Sequence, residues 1–240
     1  MNKQTNDNLI YGRNPVREAL KFGNVKSIII ASSFHDGDVL KLISDLSLPT
    51  KTVNVNELNK LTNNGVHQGI AAYVKSYNYH SLEELIAKGK KETHPIIVML
   101  DGINDPHNFG AILRCCDIFN VTGVVISKHN QVPLNATVAK TSAGAINYVP
   151  VASVSNLNNA IRTLKDAGFW IVSSAGGASM NYQEISYDFP TVLVIGNEGD
   201  GVSSLVLKNS DYVVKIPMYG QVNSLNASVA TGILLAKIRN

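Results

Sequence analysis

Four neutral hydrogen-bonding side chains crowd one short stretch: Asn223, Ser224, Asn226 and Ser228. One of them, Ser224, would be enough to cap a following helix by accepting a backbone N–H, so four exceed that need. Neutral donors and acceptors gathered at a turn suit a polar ligand that brings its own charge. A second set runs through Asp101-Gly-Ile-Asn-Asp-Pro-His-Asn-Phe-Gly110 to Arg114. Asn108 as the cap of the next helix, bare backbone at Gly110 and the guanidinium of Arg114 could together receive a phosphate or a ribose. Two glycine-bearing turns, Ser173–Ala178 and Gly196–Gly201, let the backbone approach a ligand closely, and Glu198 sits inside the second.

Several other chemistries lack their residues. The six histidines (His35, His67, His80, His94, His107, His129) show no metal-ligand spacing, so no metal is expected. The glycine order of the third turn is G-x-x-G-x-G, which is not a dinucleotide fingerprint, and no G-K-[ST] marks a triphosphate loop. No Ser-His-Asp order or paired carboxylates stand out.

The elements that must position these turns follow from periodicity. From His94 onward, strands are expected at 96–100, 123–127, 148–152, 169–173, 191–195 and 212–216, with helices near 109–119, 134–143, 157–167, 203–208 and 225–238. Near-continuous apolar strands such as Ile-Ile-Val-Met-Leu predict a parallel sheet covered on both faces. Ligands of such sheets bind beyond the carboxyl ends of the strands, where the four polar turns fall. On a helical wheel Phe109, Ile112, Leu113 and Cys116 share one face and Arg114 points away from it. In the last helix Val229, Ala230, Ile233, Leu234 and Ile238 are expected on one face, and Gly232 suggests close packing.

The N-terminal third predicts a smaller α/β unit. Asn14-Pro15 has the form of a cap followed by proline, opening a helix through Leu20. Strands follow at 27–31, 50–55 and 69–74, and helices at 38–46 and 57–61. The expected domains are therefore 1–77, a linker over 78–93 with one helix at 82–87, and 94–240. The chain has 240 residues, is 45% apolar, and carries a net charge of +3. All of that excess lies in residues 1–77, with nine Lys and Arg against six acids, a sign of a polyanionic partner. No apolar run reaches membrane-span length and the polar start lacks a signal-peptide core, so no membrane partner and a cytoplasmic location are expected. Adjacent Cys115 and Cys116 exclude C-x-x-C chemistry.

Three segments together resemble the signature motifs of the SpoU family of RNA ribose 2′-O-methyltransferases, within the SPOUT superfamily. They are Asn104-Asp-Pro-His-Asn-Phe-Gly-Ala-Ile-Leu-Arg114, Leu193-Val-Ile-Gly-Asn-Glu-Gly-Asp-Gly-Val-Ser203, and Ile216-Pro-Met continuing to Ser224-Leu-Asn-Ala-Ser-Val-Ala230. Leu9-Ile-Tyr-Gly-Arg-Asn-Pro-Val and Val66-His-Gln-Gly-Ile-Ala resemble the substrate-binding domain of the large-subunit rRNA members, similar to a ribosomal-protein fold. Leu134-Asn-Ala-Thr-Val-Ala-Lys-Thr-Ser-Ala-Gly-Ala145 also matches. The nearest likeness within the family is to members that methylate a guanosine in the peptidyl-transferase P loop of 23S rRNA.

The resemblance implies an α/β architecture with a C-terminal trefoil-knotted domain, S-adenosylmethionine as methyl donor, large-subunit rRNA as partner, no DNA, and a homodimer. It implies a cofactor site at Ser174, Ala175, Gly176, Gly196, Asn197, Ile216, Pro217, Met218 and Leu225. Asn108, Arg114, Glu198, Ser224 and Asn226 would form the catalytic and substrate-holding set. A tRNA ribose methyltransferase of the same family and a non-catalytic ribosome-associated RNA-binding protein are the alternative readings.

Overall fold

Alternating short strands and helices open the chain. In the computed structural model, which describes residues 8–222 and 224–240, they are β1 (Leu9–Tyr11), α1 (Arg13–Lys21), β2 (Val25–Ala31), α2 (Gly37–Asp45), β3 (Thr50–Val53), α3 (Val55–Leu61) and β4 (Ile70–Val74). The strands pair in the order β1-β4-β2-β3, with β2–β3 parallel and the other pairs antiparallel. Leu9, Ile29, Ala31, Val53, Leu58 and Ala71 close one face of the sheet, each large side chain stabilising by about 1.5–3 kcal/mol on burial.

The helix start expected at Asn14-Pro15 falls earlier. Gly12, at φ +99°, precedes α1 and offers no side-chain cap. Oε1 of Gln68 accepts the Arg13 N–H at 2.9 Å instead, a cap supplied from 55 residues away. Asx caps open α2 and α3 in the usual way, through Asp36 and Asn54.

The second unit begins at Tyr79. The stretch expected as a linker over 78–93 carries α4 (Leu82–Gly89), opened by a reciprocal capping box of Ser81 and Glu84. Leu82, Leu85 and Ile86 of α4 enter that unit's core, so the stretch is part of the second unit. There follow β5 (Ile96–Asp101), α5 (Pro106–Ile118), β6 (Gly123–Ser127), α6 (Ala136–Thr141), β7 (Val151–Val154), α7 (Leu157–Asp166), β8 (Trp170–Ser174), β9 (Met180–Asn181), β10 (Thr191–Gly196), α8 (Ser204–Lys208), β11 (Tyr212–Lys215) and α9 (Ala227–Arg239).

Leu134–Asn147, with α6 inside it, groups with the N-terminal elements rather than with its sequence neighbours. The two units are therefore residues up to Asn78 with Leu134–Asn147, and Tyr79–Pro133 with Tyr148–Asn240.

The second unit's sheet is wholly parallel, in the order β7-β6-β5-β10-β8-β11-β9. Side chains alternate across it. Ile97, Met99, Val125, Ile171, Val192 and Val194 meet α4 and α7 on one face, while α5 and α9 pack together on the other. The expected apolar face of α5 is fully buried at Phe109, Ile112, Leu113 and Cys116, with Arg114 exposed.

The face of α9 differs from expectation. Ala227, Thr231, Leu234, Leu235 and Ile238 are its buried residues, whereas Val229 is 49% exposed. A Cβ on Gly232 would lie 3.6 Å from Sγ of Cys115, so the close packing suggested by that glycine is against α5 of the same chain. No helix among the described residues is long and apolar enough to cross a membrane.

Candidate active site

Gly196 ends β10 and starts the central turn of the site. A Cβ there would overlap the backbone of Gly201 and Val202, so no other residue fits without moving main chain. Asn197 folds the turn, its Oδ1 accepting Gly199 N–H at 2.8 Å and Asp200 N–H at 2.7 Å, the local bonding that makes Asn a turn former. Gly201 N–H closes it on the Asn197 carbonyl at 3.1 Å. Asp101, opposite Gly196 at the end of neighbouring β5, accepts Ser203 N–H at 2.8 Å and ties the turn's exit to the sheet. Sequence reasoning gave Asp101 no role; its place at the end of a predicted strand beside the glycine turn was the available signal.

Two further turns close around this one. After β8, Ala175 N–H donates to Val214 O at 2.9 Å, while buried Ser173 shares a 2.7 Å hydrogen bond with Ser210. After β11, the chain runs through Ile216 and Met218 to the start of α9. Between the three turns lies a cleft of about 270 Å³.

Eight of the nine positions expected at the cofactor line it: Ser174, Ala175, Gly176, Gly196, Asn197, Ile216, Met218 and Leu225. Pro217, two residues past the end of β11, is not among the lining residues. Ile195, Gly199, Asp200, Gly201, Ala227 and Ala230 line the cleft as well and were missed. The i, i+3 spacing of Ala227 and Ala230, small residues on the first turn of α9, was the legible sign of a close approach. The lining mixes bare glycine backbone and apolar side chains with carboxylates at Glu198 and Asp200. That set fits a flat, uncharged ring system joined to a cationic centre.

At the mouth of the cleft three side chains join in one direction. Asn226 Oδ1 accepts Ser228 N–H at 2.9 Å, Val229 N–H at 3.4 Å and the Ser228 hydroxyl at 2.6 Å. Its amide Nδ2 donates to Oδ1 of Asn108 at 2.8 Å. Asn108 Nδ2 in turn donates to Oε1 of Glu198. This chain fixes the orientation of both amides and gives Glu198 a donor suited to its ionised form.

Two cap assignments are corrected by the same geometry. Asp105, not Asn108, caps α5, accepting His107 N–H at 2.8 Å with Pro106 at the first helical position. Asn226, not Ser224, caps α9. Asn108 is thereby free to face Glu198, and Ser224 lines the cleft. Asn223 lies outside the described residues. Gly110 is buried, so it does not offer open backbone beside Arg114.

Arg114 is exposed on α5 and makes no ion pair or side-chain hydrogen bond among the described residues. The structure does not join it to the Asn226–Asn108–Glu198 chain. Burial pushes the neighbouring Cys115 thiol up, with the Arg114 charge opposing it. Cys116, fully buried, is raised further by desolvation, and neither thiol is poised as a nucleophile. No group of three or more His, Cys, Asp or Glu among the described residues could hold a metal ion.

The family model described as the SpoU rRNA Methylase family matches residues 95–236, across every element of this site. The chain belongs to that family. RNA methyl transfer is thus its class of activity. A second model, RNA 2′-O ribose methyltransferase substrate binding, matches residues 9–80, the N-terminal α/β elements. A TrmH-family tRNA/rRNA methyltransferase of Staphylococcus saprophyticus is 40% identical over 235 residues, covering 96% of this chain and 94% of the relative.

Solved structures share the fold. The SpoU methyltransferase AviRb from Streptomyces viridochromogenes aligns with a TM-score of 0.83 at 20% identity, covering 98% of this chain and 89% of that one. The AdoMet-bound rRNA methyltransferase from Sinorhizobium meliloti aligns with a TM-score of 0.83 at 24% identity, covering 98% and 88%.

Proposed function

We propose that the protein transfers a methyl group from S-adenosylmethionine to a ribose 2′-oxygen of large-subunit rRNA, with a guanosine in the peptidyl-transferase P loop of 23S rRNA as its target. The observation that carries this reading is the Asn226–Asn108–Glu198 chain at the mouth of a glycine-walled cleft. It holds polar groups where a sugar hydroxyl can be oriented, beside a pocket whose lining suits a nucleoside bearing a sulfonium. Family membership and the match of residues 9–80 to a substrate-binding model support the RNA side.

The donor supplies an already activated methyl group. The 2′-oxygen forms the new C–O bond as the S–CH₃ bond breaks, the sulfur keeps the electron pair to leave as a neutral thioether, and the hydroxyl proton is lost. The residues contribute position, worth many powers of ten when two reactants are held in line. Glycine backbone at Gly176 and Gly196 would hold the nucleoside, with Ile216, Pro217, Met218 and Leu225 as its apolar wall. Glu198 and Asn108 orient the hydroxyl, and Ser224 and Asn226 bond to the substrate side of the turn.

Arg114 has no anionic partner among the described residues, which suits it to an RNA phosphate. A guanidinium keeps its proton at neutral pH. Its role is therefore to hold a phosphate that, with solvent, accepts the hydroxyl proton. Arg114→Lys should cut turnover and weaken RNA binding together, since lysine cannot reproduce the planar fork; full turnover with unchanged RNA affinity would remove Arg114 from the mechanism.

The same reading includes a trefoil knot, a homodimer and a cytoplasmic setting. α9 follows β11 yet packs back on α5, a return of the chain end that supports threading. A knotted chain pulled from its termini extends less far than its residue count allows, so full extension would argue against the knot. Exposed Ile118 (66%) on α5 and Val229 (49%) on α9 support an apolar dimer face there. A monomer mass by light scattering at micromolar concentration would overturn the dimer.

The deciding experiment is methyl transfer from labelled S-adenosylmethionine to unmodified 23S rRNA and, in parallel, to bulk tRNA. Products are mapped by resistance of the 2′-O-methylated linkage to alkali. Label at one rRNA guanosine is the expected result. Label in tRNA alone would assign the chain to tRNA, which the tRNA/rRNA naming of the staphylococcal relative leaves as the second reading.

A further inference from the structure

The cleft between the three turns carries charge of one sign only. Glu198 and Asp200 both line it, and no Lys, Arg or His stands among its lining residues in the described part of the chain. The two carboxylates are not equivalent. Glu198 accepts the amide N–H of Asn108 at the mouth, whereas the carboxylate of Asp200 has no hydrogen-bond or ion-pair partner among the described residues.

The backbone donors around Asp200 are spent elsewhere. The N–H groups of Gly199 and Asp200 donate to Oδ1 of Asn197 at 2.8 and 2.7 Å, and that of Gly201 donates to the Asn197 carbonyl at 3.1 Å. At the start of α9, which also lines the cleft, the N–H groups of Ser228 and Val229 are taken by Oδ1 of Asn226. A tight turn thus holds the Asp200 carboxylate at the wall of a cleft of about 270 Å³, with no protein charge to cancel its own.

The methyl donor changes charge as it is used. S-adenosylmethionine carries a positive sulfur, and once the methyl group has left, S-adenosylhomocysteine carries an uncharged thioether on the same adenosine and amino-acid frame. An anion on the wall attracts the first at its sulfur and not the second. We propose that Asp200 is the residue by which the cleft distinguishes the charged donor from its neutral product. Donor is favoured on entry, and loss of the charge on transfer loosens the hold on the spent molecule. This inference rests on the S-adenosylmethionine reading of the cleft and deepens it, by assigning discrimination between donor and product to one side chain.

The test is calorimetry on the full chain without RNA, with three ligands: S-adenosylmethionine, S-adenosylhomocysteine and sinefungin. In sinefungin a carbon bearing a protonated amine replaces the methylated sulfur, so the positive charge stays. Asp200→Asn keeps the shape of the side chain and the backbone bond to Asn197, and Asp200→Glu keeps the charge. Asp200→Asn should weaken both ligands charged at that position about fivefold, the size of one charge pair in a water-like medium, and leave the product within about twofold of wild type. Asp200→Glu should hold the wild-type ratio of donor to product affinity. In about 1 M salt, where the screening length falls to about 3 Å, the wild-type ratio should move towards that of Asp200→Asn.

Equal losses for all three ligands in Asp200→Asn would mean that the carboxylate serves the turn, or the amino-acid end that the ligands share, and would overturn the proposal. Unchanged affinities would overturn it as well. Wild-type protein that binds none of the three would instead refute the cofactor reading on which the proposal rests.

Discussion

Asn226 uses both ends of its amide, and the two uses can be separated by one substitution. The oxygen caps α9 and the nitrogen holds Asn108. Aspartate in its place keeps the cap and improves the charge at a helix N-terminus. It removes the donor to Asn108, which must then turn its own donor away from Glu198. Asn226→Asp should melt within about 2 °C of wild type, while the methyl-transfer rate falls roughly 10- to 100-fold through lost positioning. Asn226→Ala removes the cap as well and should cost about 1 kcal/mol of stability. Wild-type turnover in Asn226→Asp would show that the chain of amides is structural. At this scale residue types were legible and their partners less so. Asn108 was recognised as a site residue but given the capping task of Asp105, even though Asp105-Pro106 has the cap-then-proline form. The same form at Asn14-Pro15 failed, because Gln68 supplies the cap from a distant loop and lets α1 begin two residues sooner.

Among elements, the parallel strands were the most legible. β5, β6, β8, β10 and β11 fall within one residue of their expected bounds, since strands buried on both faces must be apolar throughout. β1 and β9, three and two residues long, are too short to show a period. The face of α9 was misjudged because the helix is apolar on more than one side, and composition cannot tell a face buried in the chain from one left for a partner. Its far end shows how α9 is fastened. Arg239 donates to three main-chain carbonyls, Phe119 O at 2.8 Å, Asn120 O at 2.6 Å and His94 O at 3.1 Å. Two of these lie just past the C-terminus of α5, where a cation also meets the helix dipole. Arg239→Ala should destabilise the second unit by about 2 kcal/mol, a fall in melting temperature of roughly 4–8 °C. Arg239→Lys should recover only part of this, because one ammonium cannot span three divergent acceptors. An unchanged melting temperature in both would show that the bonds to α5 contribute nothing net.

For the whole molecule, the least legible feature was how the chain is shared between its two units. Residues 134–147 join the N-terminal elements through packing such as Lys140 on Tyr11, a pairing 129 positions apart that no local pattern announces. The polar stretch holding the charged run at 88–92 suggested a linker, although Leu82, Leu85 and Ile86 carried the helical spacing of a core segment. Both units place a tyrosine where burial disfavours its ionised form, and this sets a limit on the alkaline side. Tyr187 is pushed up to about 12, mainly by desolvation, and donates its hydroxyl to Tyr182 O at 3.0 Å. Tyr77 is raised by burial as well. In the unfolded chain both titrate near 10. The folded state therefore holds these protons more tightly, and their contribution is fully present below pH 10. As pH rises from 10 through 12 the unfolded state gives up its protons first, and stability falls. Melting temperature measured from pH 8 to 12 should stay level to about 10 and then drop. Tyr187→Phe, which has no proton to lose, should start slightly lower for want of its hydrogen bond yet decline less steeply. If it declined as steeply as wild type, the alkaline loss would have to come from other groups, with Tyr77 next to be replaced.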